Sequence, residues 1–363
     1  MPIQSVIELA ISIQQIPAPT FEEAARAQFI LEMFQQEALL DPQVDSAGNV
    51  LARLPGQGKA PPLIVSAHLD TVFPAETDLT IRREPGRIYG PGLGDNSLGV
   101  AGLFGLLWNL REQQIRLPGD LWLVANTGEE GLGDLKGMKA ICERFGPNVL
   151  AYLVLEGMAY GHIYHKAIGV RRYKITAHTG GGHSWTDYGR PSAIHELSQL
   201  ITQLSHLKLP GTPRTTINVG RMSGGTSINT IAALAWMELD LRSESTEILT
   251  HLAQDVEKII EAAARPGISF QVEIIGQRPA GEIAISHPIL QAAQKTLYTQ
   301  GIEPGLTSGS TDANIPFSLS YPALVLGLTH GGGAHTIREY IQTEPVENGI
   351  QQLVDFARIA FLT

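Results

Sequence analysis

At 363 residues the chain exceeds the size at which a single core keeps growing, so two domains are expected. With 43% hydrophobic and 17% charged residues it has the composition of a globular protein that can bury a sizeable core. A formal charge of -10, with no dense basic run to override it, leaves no field suited to a phosphate backbone, and nucleic acid is not an expected partner.

Residues 1–17 are apolar but lack a positive n-region and carry Gln4, Glu8, Gln14 and Gln15, so they read as an amphipathic first helix rather than a signal peptide. Short apolar runs at 63–67, 121–125 and 150–155 are separated by helix-like stretches at 98–111 and 135–145. This βαβαβ rhythm implies crossover helices and therefore parallel pairing, with strands apolar throughout because both faces are covered. From about Val170 the pattern changes to strand 172–177, helix 191–207, strands 215–221 and 232–242, helix 247–264 and strand 269–275. That order, βαββαβ, is the split ferredoxin-like unit. After Gly281 the first rhythm resumes with a helix from His287, a strand at 323–328 and a helix from Pro345. Residues 1–169 and 281–363 are therefore expected to form one discontinuous α/β domain with a mostly parallel, helix-flanked sheet, and residues 170–280 an inserted α+β domain. No stretch of about eighteen consecutive apolar residues occurs, so no membrane span is expected. Cys142 is the only cysteine, which rules out an intrachain disulfide and points to a reducing cytoplasm.

Polar residues cluster after the predicted strands. His68 and Asp70 follow the first, Glu129 and Glu130 the second, Glu156 the third, and His330 and His335 the strand at 323–328. In a parallel sheet these ends share one edge, where open α/β sheets bind ligands. His68 and Asp70 have period-two spacing, so both can face one way, and a carboxylate beside a histidine can fix its tautomer. A loop histidine and a turn aspartate would give the same triplet. Asp95 ends a glycine-rich run before an apolar helix; it is an ordinary helix cap by position, yet the glycines also let a carboxylate approach a metal. The phosphate-loop lysine is absent there. Glu129 and Glu130 are adjacent like charges that a divalent cation would compensate, or else an exposed acidic turn. Glu156 ends an apolar strand, where a carboxylate must be paired, ligated or at the edge. His335 lies in a glycine loop with His330 as its competitor.

Together His68, Asp95, Glu130, Glu156 and His335 are a donor set suited to two zinc ions, with cobalt or manganese as substitutes. One carboxylate would bridge, and Glu129 would move the water proton.

In that order these motifs resemble the co-catalytic zinc metallopeptidases that include peptidase T, glutamate carboxypeptidase, acetylornithine deacetylase and succinyl-diaminopimelate desuccinylase, over nearly the whole chain. The resemblance implies that Asp95 bridges the metals, that His68 and Glu156 complete one site and Glu130 and His335 the other. It implies that Asp70 supports His68, that Glu129 is the general base, and that the insertion is a lid or dimerisation domain of a homodimer. Within it, the segment 180–184 resembles one whose histidine, His183 here, crosses to the partner and stabilises the oxyanion. The segment 224–229 with Arg242 resembles the region that holds a substrate carboxylate, through Asn229 and Arg242; an arginine beside Asp240 and Glu244 also fits a surface ion pair. Asp312 lies in a segment similar to one near the family's active site, without a derivable role.

The expected function is hydrolysis of an amide bond in small peptides or N-acyl amino acids. Trp185 and Tyr188 follow His183 where many relatives have smaller residues, so substrate preference can differ. Glu156 resembles the carboxypeptidases and deacylases, with an aminopeptidase of the peptidase T type as the alternative and a non-catalytic metal-dependent binding protein as a remote one. No GxSxG elbow supports a serine hydrolase.

Overall fold

A computed structural model describes residues 3–362. The chain divides into two compact units, Met1–Ala167 with Glu282–Thr363, and Ile168–Gly281. The first helix runs Ile3–Gln14; the first two residues of the stretch expected to form it lie outside the described residues. Among the described residues no helix is long and apolar enough to cross a membrane.

The first unit is built on a nine-stranded sheet. Its centre is four parallel neighbours in the order Leu121–Asn126, Leu63–His68, Ala151–Glu156 and Ala323–Gly327. These are the apolar runs of the sequence, and Leu63, Ile64, Val65, Leu121, Leu123, Leu153, Val154, Leu324 and Leu326 are all 0% exposed. Strands buried on both faces have no reason to alternate, which is why these read as continuous apolar segments. Antiparallel strands Val50–Leu54 and Leu40–Val44 extend one side, and His162–Ala167 lies antiparallel to Ala323–Gly327 on the other.

The helix Leu98–Glu112 packs under the sheet with Leu103, Phe104, Leu106, Leu107 and Leu110 fully buried. At about 1.5–3 kcal/mol per buried large side chain this helix contributes far more than surface ion pairs such as Arg83 with Glu8, worth roughly 0–1 kcal/mol. Preceding it, Leu93–Ser97 forms a wide turn entered through Gly92, whose φ of +71° suits glycine. A separate small ladder joins Arg82–Glu84, Arg87–Tyr89, Tyr340–Gln342 and Gly331–Gly332. It brings the 331–339 segment against the turn that carries Asp95, as the bond from the Gly90 amide to the Glu339 carbonyl shows, at 3.0 Å.

The second unit is the expected βαββαβ fold. Its four-stranded antiparallel sheet has the order Thr215–Gly224, Leu234–Ser243, Gly169–Thr179, Ile268–Arg278. Alternation is clear here: Tyr173, Ile175 and Ala177 meet Ala235, Met237, Leu239 and Leu241 in one core with Leu197, Leu200, Leu252 and Val256 from the helices Ala193–Ser205 and Thr246–Ala263. The opposite face carries Arg172, Lys174, Glu238 and Asp240. Period-two patterning thus marks this sheet as covered on one face only.

Candidate metal centre

The carboxyl ends of the parallel strands supply the site. His68 is the last residue of its strand, Glu156 the last of its own, and Glu129 and Glu130 follow the strand ending at Asn126 after a turn through Gly128, whose φ is +66°. His335, itself at φ +62°, arrives from the loop after Ala323–Gly327. Three groups form, each with donor atoms within 4.8 Å of one another: His68, Asp95 and Glu156; Asp95, Glu130 and His335; His68, Glu129 and Glu130.

Asp95 belongs to two of them, one oxygen to each side. Its Oδ1 is 3.2 Å from His68 Nε2, and its Oδ2 is 3.1 Å from His335 Nε2. His335 Nε2 is also 3.2 Å from Glu130 Oε1, and His68 Nε2 is 4.0 Å from Glu156 Oε2. Donors held about 2.0–2.1 Å from a shared zinc at tetrahedral angles stand about 3.3 Å apart, so the three shorter separations fit a common cation on each side of Asp95. His330 is in none of these groups; its ring lies 5.5 Å from that of Tyr160.

The electrostatics match this donor set. Burial acts to lower His68, but the neighbouring carboxylates of Asp70 and Asp95 and the charges of Glu129 and Glu156 raise it well above its ordinary value. Hydrogen bonding to Asp95, then to Glu130, pushes His335 up to about 10. Burial holds Glu156 well above the usual carboxylate range despite the pull of His68. Four carboxylates in one pocket require positive charge, and a divalent cation supplies it more fully than two imidazolium protons.

Main-chain bonds fix the arrangement. His68 Nδ1 lies 3.0 Å from the Asp70 carbonyl, which places the Nδ1 proton there and leaves Nε2 free to face the donor cluster. The Asp70 carboxylate is 3.6 Å from Nδ1, too far for a good hydrogen bond. It accepts instead from the Glu129 amide at 3.0 Å, the Glu130 amide at 2.9 Å and Thr20 Oγ1 at 3.0 Å. Asp70 therefore supports His68 through its backbone and positions Glu129 and Glu130 through its side chain. Arg26, 1% exposed, donates from Nη1 to the Leu69 carbonyl at 2.6 Å and from Nη2 to the Ile16 carbonyl at 2.6 Å. Burial lowers it to about 10, with Asp70 opposing, so it stays charged at neutral pH.

Asn96 accepts from the Gly157 amide at 2.9 Å and donates to the Leu155 carbonyl at 2.8 Å, tying the Asp95 turn to the end of the Glu156 strand. The Glu339 carboxylate, 0% exposed, accepts from the amides of Gly92 at 3.0 Å, Gly94 at 2.6 Å and Asp95 at 2.9 Å. Asp312 is fully buried and accepts from Asn126 Nδ2 at 2.6 Å, on the strand that leads to Glu129. Sequence reasoning missed Arg26, Asn96 and Glu339. Asn96, beside Asp95 in the glycine run, was the one within reach of a sequence signal.

The remaining expected residues lie in the second unit. His183 pairs in register with Thr230, and the Ser184 amide donates to the Asn229 carbonyl at 3.0 Å, so His183 and Asn229 are brought together. His183 Nδ1 accepts from the Trp185 amide at 3.2 Å, which leaves its proton on Nε2. Arg242 lies on the open sheet face and donates from Nε to Asp240 Oδ1 at 2.7 Å, so its guanidinium is engaged by a neighbour on its own strand.

Residues 64–359 match the model of Peptidase family M20/M25/M40. Over 275 residues, 74% of each chain, the sequence is 30% identical to succinyl-diaminopimelate desuccinylase of Corynebacterium glutamicum. The fold is similar to that of a tripeptidase from Staphylococcus aureus, with TM-score 0.85, 22% identity and complete coverage of both chains. It is also similar to aminopeptidase PepT from Bacillus cereus, with TM-score 0.81, 21% identity, and coverage of 100% of this chain and 99% of that one. With its fold, its strand-end donor set and a family match across most of its length, the chain belongs to Peptidase family M20/M25/M40 and is a hydrolase of the peptidase and amidohydrolase kind.

Proposed function

We propose that this chain is a di-zinc amidohydrolase that cleaves an amide bond in N-acyl amino acids or small peptides with a free carboxylate. The observation that carries the reading is Asp95, whose two carboxylate oxygens face different histidines at 3.2 Å and 3.1 Å. His68, Asp95 and Glu156 would hold one cation, and Asp95, Glu130 and His335 the other. Bound there, such a pair supplies Lewis-acid polarisation of the scissile carbonyl and acidifies water.

The chain's own residues do the rest. The Glu129 carboxylate, held by the Asp70 bond to its amide, takes a proton from water as the oxygen attacks the carbonyl carbon. It then delivers that proton to the amide nitrogen as the carbon–nitrogen bond breaks, leaving a carboxylic acid and an amine. His183, with its proton on Nε2, is the donor assigned to the developing oxyanion, from the partner copy of a homodimer formed through the inserted unit. Asn229 is assigned to the substrate carboxylate. Arg242 joins it only if its bond to Asp240 is exchanged for substrate. Glu156 and the likeness to a desuccinylase favour acyl-amino acids, and an aminopeptidase of the peptidase T type is the alternative.

The test is Glu129→Gln, which keeps shape and removes the base. It should retain two equivalents of zinc while turnover falls by roughly 10²–10⁴ or more; full activity in that variant overturns the assignment. A product-resolved screen of N-acyl amino acids, dipeptides and tripeptides with zinc, cobalt and manganese separates deacylase from aminopeptidase.

A further inference from the structure

Glu339 is buried at the far end of the segment that begins with His335, and its carboxylate accepts from three main-chain amides. We propose that Glu339 is the positioning residue that sets Asp95 as the bridge between two cations and couples that bridge to His335. The inference rests on the two-cation reading above and adds to it a determinant that touches neither cation.

The geometry supports this at each link. Glu339 Oε1 accepts from the Gly94 amide at 2.6 Å and the Asp95 amide at 2.9 Å, while Oε2 accepts from the Gly92 amide at 3.0 Å. Three converging N–H groups call for acceptor oxygens on both branches of the side chain, which a carboxylate supplies and a carboxamide does not. With its amide tied down, Asp95 presents Oδ1 to His68 and Oδ2 to His335. The other end of the link is a tight turn. Thr336 N donates to the Gly333 carbonyl and Glu339 N to the Thr336 carbonyl, each at 3.0 Å, so Glu339 and His335 are held on one small loop. That loop is anchored by pairing of Gly331 with Ile341 and Tyr340 with Tyr89. One segment thus delivers a ligand to one side of Asp95 and fixes the backbone of Asp95 itself, 244 positions away.

Glu339→Gln retains the size but turns an NH₂ toward at least one of the three amides, which displaces the Asp95 turn. Glu339→Asp keeps the charge on a shorter arm. The experiment titrates the metal-free full-length protein with cobalt(II), following stoichiometry by calorimetry and coordination by visible absorption, with thermal unfolding of the metal-free form measured alongside. Expected are two equivalents in the wild type, at least tenfold weaker binding of the second equivalent in Glu339→Gln with an altered visible band, and partial recovery in Glu339→Asp. A purely structural role would lower the metal-free unfolding temperature and leave affinity and band as in the wild type; that result overturns the proposal. If Glu339→Gln does not fold, Glu339→Asp decides alone, and wild-type binding of the second equivalent overturns the proposal. Asp95→Ala separates the two readings. If it still binds two equivalents, or the wild type binds only one, the two-cation reading itself fails and takes the proposal with it. If Asp95→Ala is impaired and Glu339→Gln is not, only the role of Glu339 is refuted.

Discussion

Replacing Arg26 by methionine tests whether main-chain carbonyls, rather than an ion pair, are what this buried cation serves. Methionine fills the space of the arginine stem but donates nothing, so the carbonyls of Ile16 and Leu69, which accept from Arg26 at 2.6 Å each, lose those bonds. A buried acceptor left unsatisfied costs about 1–3 kcal/mol, so two give roughly 2–6 kcal/mol. Asp70, whose charge opposes burial's effect on Arg26, also loses this nearby cation, which adds to the loss. At about 2–4 °C per kcal/mol for a unit of this size, the unfolding temperature of the metal-free protein should fall by roughly 4–24 °C. Arg26→Lys, with a single nitrogen in place of a fork, should recover part of the loss. The assay is thermal unfolding by circular dichroism with a chelator present. An unfolding temperature within about 1 °C of the wild type for Arg26→Met would show that the carbonyls find other partners and would refute the reasoning.

Three further outcomes follow from the same structure. Adding zinc to chelator-treated protein should raise the unfolding temperature, since free cation at about 100 times its Kd stabilises by about 2.7 kcal/mol; no concentration dependence would count against a bound cation. A Cβ on Gly99 would stand 2.0 Å from Asn96 Oδ1, and because that amide is bonded to Leu155 and Gly157, Gly99→Ala should cost about 1–3 kcal/mol and weaken zinc binding, read by denaturant unfolding and calorimetry. Burial, aided by the charge of Asp312, pushes the Cys142 thiol up to about 12, so the reactive thiolate forms only as the pH approaches that value. Alkylation at pH 8 should therefore await unfolding by urea; rapid labelling of the native protein would contradict the buried placement.

What was legible in the sequence has a common physical basis. His68, Glu130, Glu156 and His335 stand out because each is a polar residue at or beyond the end of an apolar run, and parallel pairing converts that position into proximity. The inserted unit was legible because its strands alternate. Arg26 and Glu339 were not, because their partners are main-chain atoms, and any residue type supplies a carbonyl or, apart from proline, an amide. Asp70 was recognised as a support, but its contacts with the amides of Glu129 and Glu130 depend on how a turn folds back, which spacing does not reveal. The strand Leu40–Val44 escaped notice for another reason: it contains Pro42, has no alternation and buries little, as befits an edge.

The ends of the first unit, where the second is inserted, lie side by side. The Ile283 amide donates to the His165 carbonyl at 3.0 Å and Lys166 pairs with Glu282 at 2.8 Å, so the chain leaves and re-enters through adjoining positions. The ring-closing penalty of a detour of more than a hundred residues spliced there changes by only about 0.6 kcal/mol for each doubling of its length. The host scaffold can therefore tolerate replacement of the guest module by others of different size, and such exchanges need not disturb the donor cluster at the host's own strand ends.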